Sequence, residues 1–250
     1  MILMSTPTSF FDQVWWILQD SWPLFLYGIK ITIILAIIGT LVGFLLGLVF
    51  GGIRAIKVEE RDRGIVKATK RVLHAIVGFY VWFFRGTPMM VQAVFFYYML
   101  LPILNWSPLT AGCCIISANT GAYMAEIIRA GIQSVDKGQI EGARSLGMSD
   151  AQTMLSIVLP QAVKNSFPSI GNELIVNIKD SSVLNVIGVI EIYFQSSSIA
   201  GTYSFWMQTF FNTCLIYLFL TTIATWILAY IEKRLNQTKS SYPASASVPK

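Results

Sequence analysis

Charge is scarce in this chain: Asp, Glu, Lys and Arg make up 12% of its 250 residues, against about 25% in soluble domains. So little charge cannot coat a water-soluble globule of 27.9 kDa, which excludes a soluble enzyme. Histidine occurs once, as His74, and the three cysteines, Cys113, Cys114 and Cys214, have no CxxC spacing. Neither a zinc site nor a disulfide frame is expected from them. Each cysteine lies in an apolar run, where a small buried hydrophobe is the expected role. No G-x4-G-K-[ST] phosphate loop occurs either, so this type of nucleotide site is missing from the chain. What abounds is apolar side chain, 54% of the sequence, with a mean hydropathy of +0.61. The excess has to face lipid.

A hydrocarbon core about 30 Å thick takes about 20 helical residues. Leu24 to Ile53 offers thirty with one charge, Lys30, and Val72 to Leu101 offers another thirty, interrupted at Arg85-Gly86-Thr87-Pro88. Leu109 to Ile128 is broken chiefly by Asn119 and Glu126, and Phe205 to Ile231 is the last clear run. Leu155 to Ile192 is too long for one straight span and carries Asn172, Glu173, Asn177, Lys179, Asp180 and Asn185. It is read as a span that is broken or ends irregularly, since polar backbone at membrane depth survives only against protein or a cavity. The expectation is an all-α polytopic membrane protein with about five transmembrane helices. Residues 1–23 contain no Lys or Arg and the first apolar run is long, which favours an uncleaved helix over a signal peptide.

Basic residues are placed unevenly. Seven lie between Arg54 and Arg71, four between Arg129 and Lys164, and four from Lys233 onward, whereas the first 23 residues, Pro102 to Pro108 and Glu191 to Ser204 have none. By the positive-inside rule this puts the N-terminus outside and the C-terminus in the cytoplasm. It also accounts for the net charge of +5 without any nucleic-acid partner. The expected organisation is an extracytoplasmic segment over 1-23, a transmembrane domain over 24-232 with a cytoplasmic loop at about 133-156, and a cytoplasmic tail over 233-250. Its Ser-, Ala- and Pro-rich end from Ser240 is expected to be disordered.

Within the spans, Gly39, Gly43, Gly47 and Gly51 recur every four residues, a stripe that lets another backbone approach closely. Ser117, Gly121 and Ala125 offer a weaker counterpart. The packing could lie within one subunit or across a dimer. Ionisable residues at membrane depth mark functional sites by default. Arg85 lies thirteen residues into its span, roughly 20 Å along a helix, beside a Gly and a Pro that loosen the hydrogen-bond ladder. It suits either a carboxylate-bearing ligand or an intramolecular partner such as Glu126, Glu173 or Asp180. Lys179 and Asp180 either neutralise one another or line a cavity of both signs, which would suit a zwitterion. Glu126 and Arg129 are spaced to pair on one helix face, and His74 is expected at the cytoplasmic mouth with no metal partner.

The loop before the fourth span reads as a short surface helix from Asp136 to Gly147, with Asp136 as N-cap, Gly147 as stop and Ser149 as the next cap. Glu141, Gly142 and Ala143 combine one charge with two very small residues, which suits docking in a groove. Glu141-Gly142-Ala143, three residues, Gly147, nine residues, then Ile157, Val158 and Leu159-Pro160 resembles the EAA loop, E-A-A-x3-G-x9-I-x-L-P, of the membrane subunits of bacterial ABC importers. Gly142 in place of the first alanine is the one departure. Phe84-Arg85-Gly86-Thr87-Pro88 with Gln92, Ser117 to Gly131 and Asn172 to Leu184 are similar to the polar amino-acid permease subfamily, and the resemblance spans about residues 22 to 236.

The resemblance implies the type I importer fold and a multi-pass subunit of the bacterial cytoplasmic membrane with no catalytic site of its own. It implies no cofactor on this chain; ATP and Mg would be bound by two cytoplasmic ABC ATPase partners. A second permease subunit, identical or homologous, and an extracytoplasmic amino-acid-binding protein complete the expected assembly. Glu141, Gly142, Ala143 and Gly147 would couple to the ATPases. Arg85, Thr87, Glu126, Asn172, Lys179 and Asp180 are the candidates for the pathway wall and its gates.

Overall fold

The computed structural model describes residues 8–56, 58, 60 and 63–237, and every regular element among them is helical. In chain order these are α1 (Phe10–Asp20), α2 (Trp22–Ala55), α3 (Gly64–Gly86), α4 (Met89–Leu104), α5 (Pro108–Gln133), α6 (Lys137–Ser145), α7 (Asp150–Thr153), α8 (Leu159–Asp180), α9 (Ile192–Tyr203) and α10 (Trp206–Gln237). A π turn, Met154–Val158, joins α7 to α8, and a 3-10 turn, Ser181–Ile187, follows α8.

The glycine stripe determines the centre of the bundle. A Cβ on Gly39 would come within 2.9 Å of Ile116, on Gly43 within 2.8 Å of Thr120, on Gly47 within 2.8 Å of the Met124 carbonyl carbon, and on Gly51 within 2.7 Å of the Ala125 carbonyl oxygen. Contacts that advance together along both helices mean that α2 and α5 run parallel with their backbones nearly touching. The stripe therefore packs within the subunit. The side chains that fill it are those of Ile116, Thr120, Met124 and Ile128; of the expected counterpart, Gly121 and Ala125 meet the stripe through their backbones and Ser117 does not meet it. Gly121 instead makes room for Tyr80 and Leu46, bringing α3 against the same helix.

α8 runs antiparallel to α5. Gly131 faces Ala162, the Ser166 hydroxyl donates to the Ile127 carbonyl at 3.2 Å, and the Thr120 hydroxyl donates to Asn177 Oδ1 at 2.8 Å. Asn177 in turn donates to Thr40 at 2.9 Å, so one buried amide ties α2, α5 and α8 together. Surrounded in this way, α5 buries fourteen of its residues.

That burial explains a difference from the sequence reading. Among the described residues two helices, Trp22–Ala55 and Trp206–Leu235, are each long and apolar enough to cross a membrane, or up to four units if two bent pairs each count as one span. α5, taken above as the third span, is not among them. A helix wrapped by its neighbours needs small and polar packing residues more than lipid-facing ones. The interruption expected at Arg85–Pro88 is the bend between α3 and α4, which meet at 114°; the segment expected over Leu155 to Ile192 ends in the 3-10 turn, beyond which α9, not expected from the sequence, turns away at 57°.

The N-terminal segment contains α1, which packs on α10, and one further expectation, on the cysteines, is corrected. The proposed tail is helical through Gln237, whereas 238–250, with the disorder expected there, lies outside the described residues. Cys113 is half-buried while Cys114 and Cys214 are exposed; they sit on outward faces of α5 and α10, where a weakly polar thiol is tolerated.

Replacing Gly47 with Leu is expected to lower the thermal unfolding midpoint of the detergent-solubilised protein, because overpacking costs about 1–3 kcal/mol. Gly52, whose Cβ position meets nothing within 4 Å, is the control: Gly52→Ala should leave the midpoint unchanged or raise it.

Candidate functional site

Two constellations carry the chemistry. The first is built on Glu126, about two turns before the end of α5. Its Oε1 is paired with Arg54 from the end of α2, and its Oε2 accepts from Arg129 Nε at 2.9 Å and Nη2 at 2.8 Å. Arg85 approaches Oε1 at 3.9 Å, too far for a hydrogen bond, and lies 5.4 Å over the Tyr123 ring. Three guanidiniums thus share one carboxylate. Such a pair placed away from water requires geometry and further hydrogen bonds to offset desolvation, and Arg129 adds one by donating to Gln133 at 3.2 Å.

Both alternatives considered for Arg85 keep support. It has an intramolecular partner, Glu126, yet the partner's oxygens are already engaged. Its side chain is 44% exposed and borders a cleft of about 420 Å³ lined by Arg54, Gly78, Val81, Trp82, Gly86, Tyr123 and Glu126. With three cations to one anion, this corner carries a local surplus of positive charge.

Thr87 has a different task. The buried Gln92 side-chain nitrogen donates to the Phe84 carbonyl at 2.9 Å, the Thr87 carbonyl at 2.9 Å and the Thr87 hydroxyl at 2.8 Å, while its oxygen accepts from Asn119 at 2.9 Å. The Thr87 hydroxyl donates to the Phe83 carbonyl. These bonds satisfy the backbone groups released by the break at Gly86 and Pro88, and they fix the bend that aims Arg85. Thr87 is therefore a brace of the bend, with its hydroxyl already used.

The remaining candidates lie on α8. Asn172 and Lys179 are exposed, while Glu173 and Asp180 are half-buried. Among the described residues no ion pair joins Lys179 to Asp180. His74 has Nε2 2.8 Å from the Ile53 carbonyl, near the end of α2.

The second constellation is the loop around α6. The Asp136 carboxylate accepts from the Gly138 amide at 2.7 Å, which starts the helix. At the other end Gly147 has φ +79°, a left-handed conformation that costs a side chain roughly 1–2 kcal/mol. Ser149 and Gln152 then form a reciprocal capping box on α7, and Arg144 bridges to Asp150 at 2.8 Å.

α6 is fixed to the body by one face only. Ala143 is 5% exposed, and Ile140 packs on the cluster of Ile128, Ile132, Val135, Val158 and Ala162. Ala143 was expected to contribute to a partner contact; it faces its own chain, and its small size lets the helix lie flat. Glu141, Gly142 and Gly147 point outward with nothing within 4 Å of either glycine's Cβ position, and Leu146 is 85% exposed.

Several polar residues with structural weight carried no local sign in the sequence. Arg54 was counted only as a topology charge, and Glu191, fully buried, accepts from the Tyr193 and Phe194 amides and the Tyr217 hydroxyl, each at 2.8 Å. Their partners lie on other helices or in a turn that the sequence pattern does not announce.

Residues 64–237 match the model of the binding-protein-dependent transport system inner membrane component family. The arginine transport system permease protein ArtQ of Bacillus subtilis is 34% identical over 85% of this chain and 93% of its own length. The glutamine transport system permease protein GlnP of Escherichia coli is 32% identical over 88% of this chain and 97% of its own. Among solved structures, an amino acid ABC transporter crystallised with histidines is 32% identical, covers 91% of this chain and 99% of its own, and superposes with a TM-score of 0.76. The inward-facing methionine transporter MetNI, at 18% identity and a TM-score of 0.72, shares the fold. The chain belongs to the binding-protein-dependent transport system inner membrane component family, as a membrane permease component of the amino-acid ABC importer kind.

Proposed function

We propose that this chain is one of two permease subunits forming the pathway of a polar amino-acid importer in a bacterial inner membrane. An extracytoplasmic binding protein delivers the substrate, and two cytoplasmic ABC ATPases, which bind ATP and Mg, drive the cycle. The second permease is a copy of this chain or a homologue. The observation that carries the reading is α6: a short helix rigidly capped at both ends, seated on one face, with Glu141, Gly142 and Leu146 presented outward. A partner pressing on that face moves α6 as a body. The push then passes through Ile140 and Ala143 into α5 and α8, the helices that carry the interior polar residues.

In this reading Glu141, Gly142 and Gly147 meet the ATPase, and Ala143 supports them from beneath. Arg85, Glu126, Asn172, Lys179 and Asp180 form the pathway and its gates, with Thr87 holding the bend from which Arg85 projects. Arg85 has donors left over by Glu126 and suits the carboxylate of an amino acid. Carboxylates on α8 suit its ammonium, so both signs of a zwitterion are met. The distribution of basic residues supports a cytoplasmic position for α6.

Two experiments test this. Gly147→Val should insert in the membrane normally but separate ATP hydrolysis from uptake, because the left-handed turn is lost. Gly147→Asn, which tolerates that conformation better, should retain more coupling than Val; normal uptake by the Val variant would remove the docking assignment. Arg85→Gln, reconstituted in vesicles with its ATPase, should assemble and lose uptake of at least one polar amino acid. Unchanged uptake across a panel of acidic, basic and amide amino acids would end the ligand role of Arg85.

A further inference from the structure

The pathway and the loop leave α1 unexplained. It is 11 residues long and held by polar bonds at several points. The Asn212 side chain donates to the Val14 carbonyl at 2.8 Å, Gln208 donates to Gln13 at 2.6 Å, and the Tyr203 hydroxyl donates to Asp20 at 2.5 Å. Phe10 and Phe211 meet edge to face at 5.7 Å, as do Trp16 and Tyr203 at 5.0 Å. Val14 and Ile17 are buried against the bundle, so the helix is firmly seated.

Its outward side is nevertheless apolar over part of the circumference. Phe11 is 71% exposed and Trp15 60%. At about 100° per residue, Phe11 and Trp15 lie about 40° apart on one side of the buried pair, and Leu18, half-buried against Ile17 and Phe25, falls between them and Val14. Gln19, Asp12 and Asp20 follow in the next sector and are exposed. The helix thus has three faces, one toward protein, one apolar and open, and one polar and open. A helix on a water-exposed surface needs only the first and third.

The apolar face continues onto surfaces of the spanning helices. Trp22 and Leu26 at the start of α2, and Trp206, Met207 and Phe211 at the start of α10, are all exposed. The α10 residues that hold α1 lie two to six positions from its first residue, Trp206, or about 3–9 Å along its axis. α10 itself is long and apolar enough to span, with only 6% of its most apolar window buried. That depth is the membrane–water interface of a spanning helix, where Trp and Tyr concentrate. We infer that α1 is an interfacial helix whose Phe11–Trp15 face enters the headgroup and acyl-chain boundary of the membrane, its partner being lipid rather than protein. No Lys or Arg lies in the first 29 residues, so the attachment is apolar and independent of anionic lipid.

The test compares the assembled complex with its Trp15→Phe variant in phosphatidylcholine vesicles; the difference in emission reports Trp15. Lipids brominated near the carbonyl should quench this difference strongly and lipids brominated deep in the chain weakly, with aqueous iodide having little effect. The same pattern is expected when a tryptophan is restored one turn away, in Trp15→Phe/Phe11→Trp, and when phosphatidylglycerol is added. Quenching by iodide but by neither brominated lipid would overturn the inference. So would shielding from iodide that arises only when the binding protein is added, since the face would then be a protein-docking patch.

Discussion

Everything in this subunit hangs on how closely α2 and α5 approach. Four glycines at four-residue spacing let two parallel helices meet backbone to backbone, and no side chain other than hydrogen fits at those positions without displacing a neighbour. Once the seam is set, the other helices have defined sites around α5. α8 lies antiparallel through Ser166 and Asn177, and α3 crosses over Gly121. The seam also delivers the ends of α2 and α5 side by side, which is why Arg54 and Glu126, 72 residues apart, form an ion pair. In membranes, where lipid tails supply no hydrophobic drive between helices, contact of this kind and interhelical hydrogen bonds hold a bundle together.

The polar interior follows a consistent economy. Glu126 engages two arginines fully and a third loosely, Gln92 closes the backbone groups opened by the bend, and Asn177 links three helices. Each group that would be costly alone is matched. Arg85 differs, since it keeps donors in reserve beside a cleft. The contrast between these matched residues and Arg85 is what separates bracing from candidate chemistry at the Glu126 corner.

Features whose physics is local were readable from the chain. The glycine stripe, the Asp136 and Ser149 caps, the Gly147 stop and the Glu126–Arg129 pair all depend on spacings of two to four residues. The break at Gly86 and Pro88 was readable too, because proline and glycine act on their own backbone. The register of the seam was not: Ser117 and Ile116 are equally plausible neighbours until α2 is placed. The convergence of Arg54 and Arg85 on Glu126, the Gln92–Asn119 bond and the burial of Glu191 are products of tertiary contact. The environment of α1 was not readable because its apolar residues form one wide arc, and nothing local tells the part that meets protein, Val14 and Ile17, from the part left open, Phe11 and Trp15.

The π turn at Met154–Val158 couples the cytoplasmic loop to the bundle in a specific way. A π turn holds more residues per turn than an α-helix, so it sets the angular phase of everything beyond it. It works as an index mark between α7 and α8, which fixes the direction in which Ser166, Gly171 and Asn177 emerge from a helix that starts outside the bundle. Thr153, immediately before it, is the one buried side chain among the described residues whose hydroxyl finds no partner. The joint between the outward-facing loop and the interior is thus the least matched point of an otherwise matched frame.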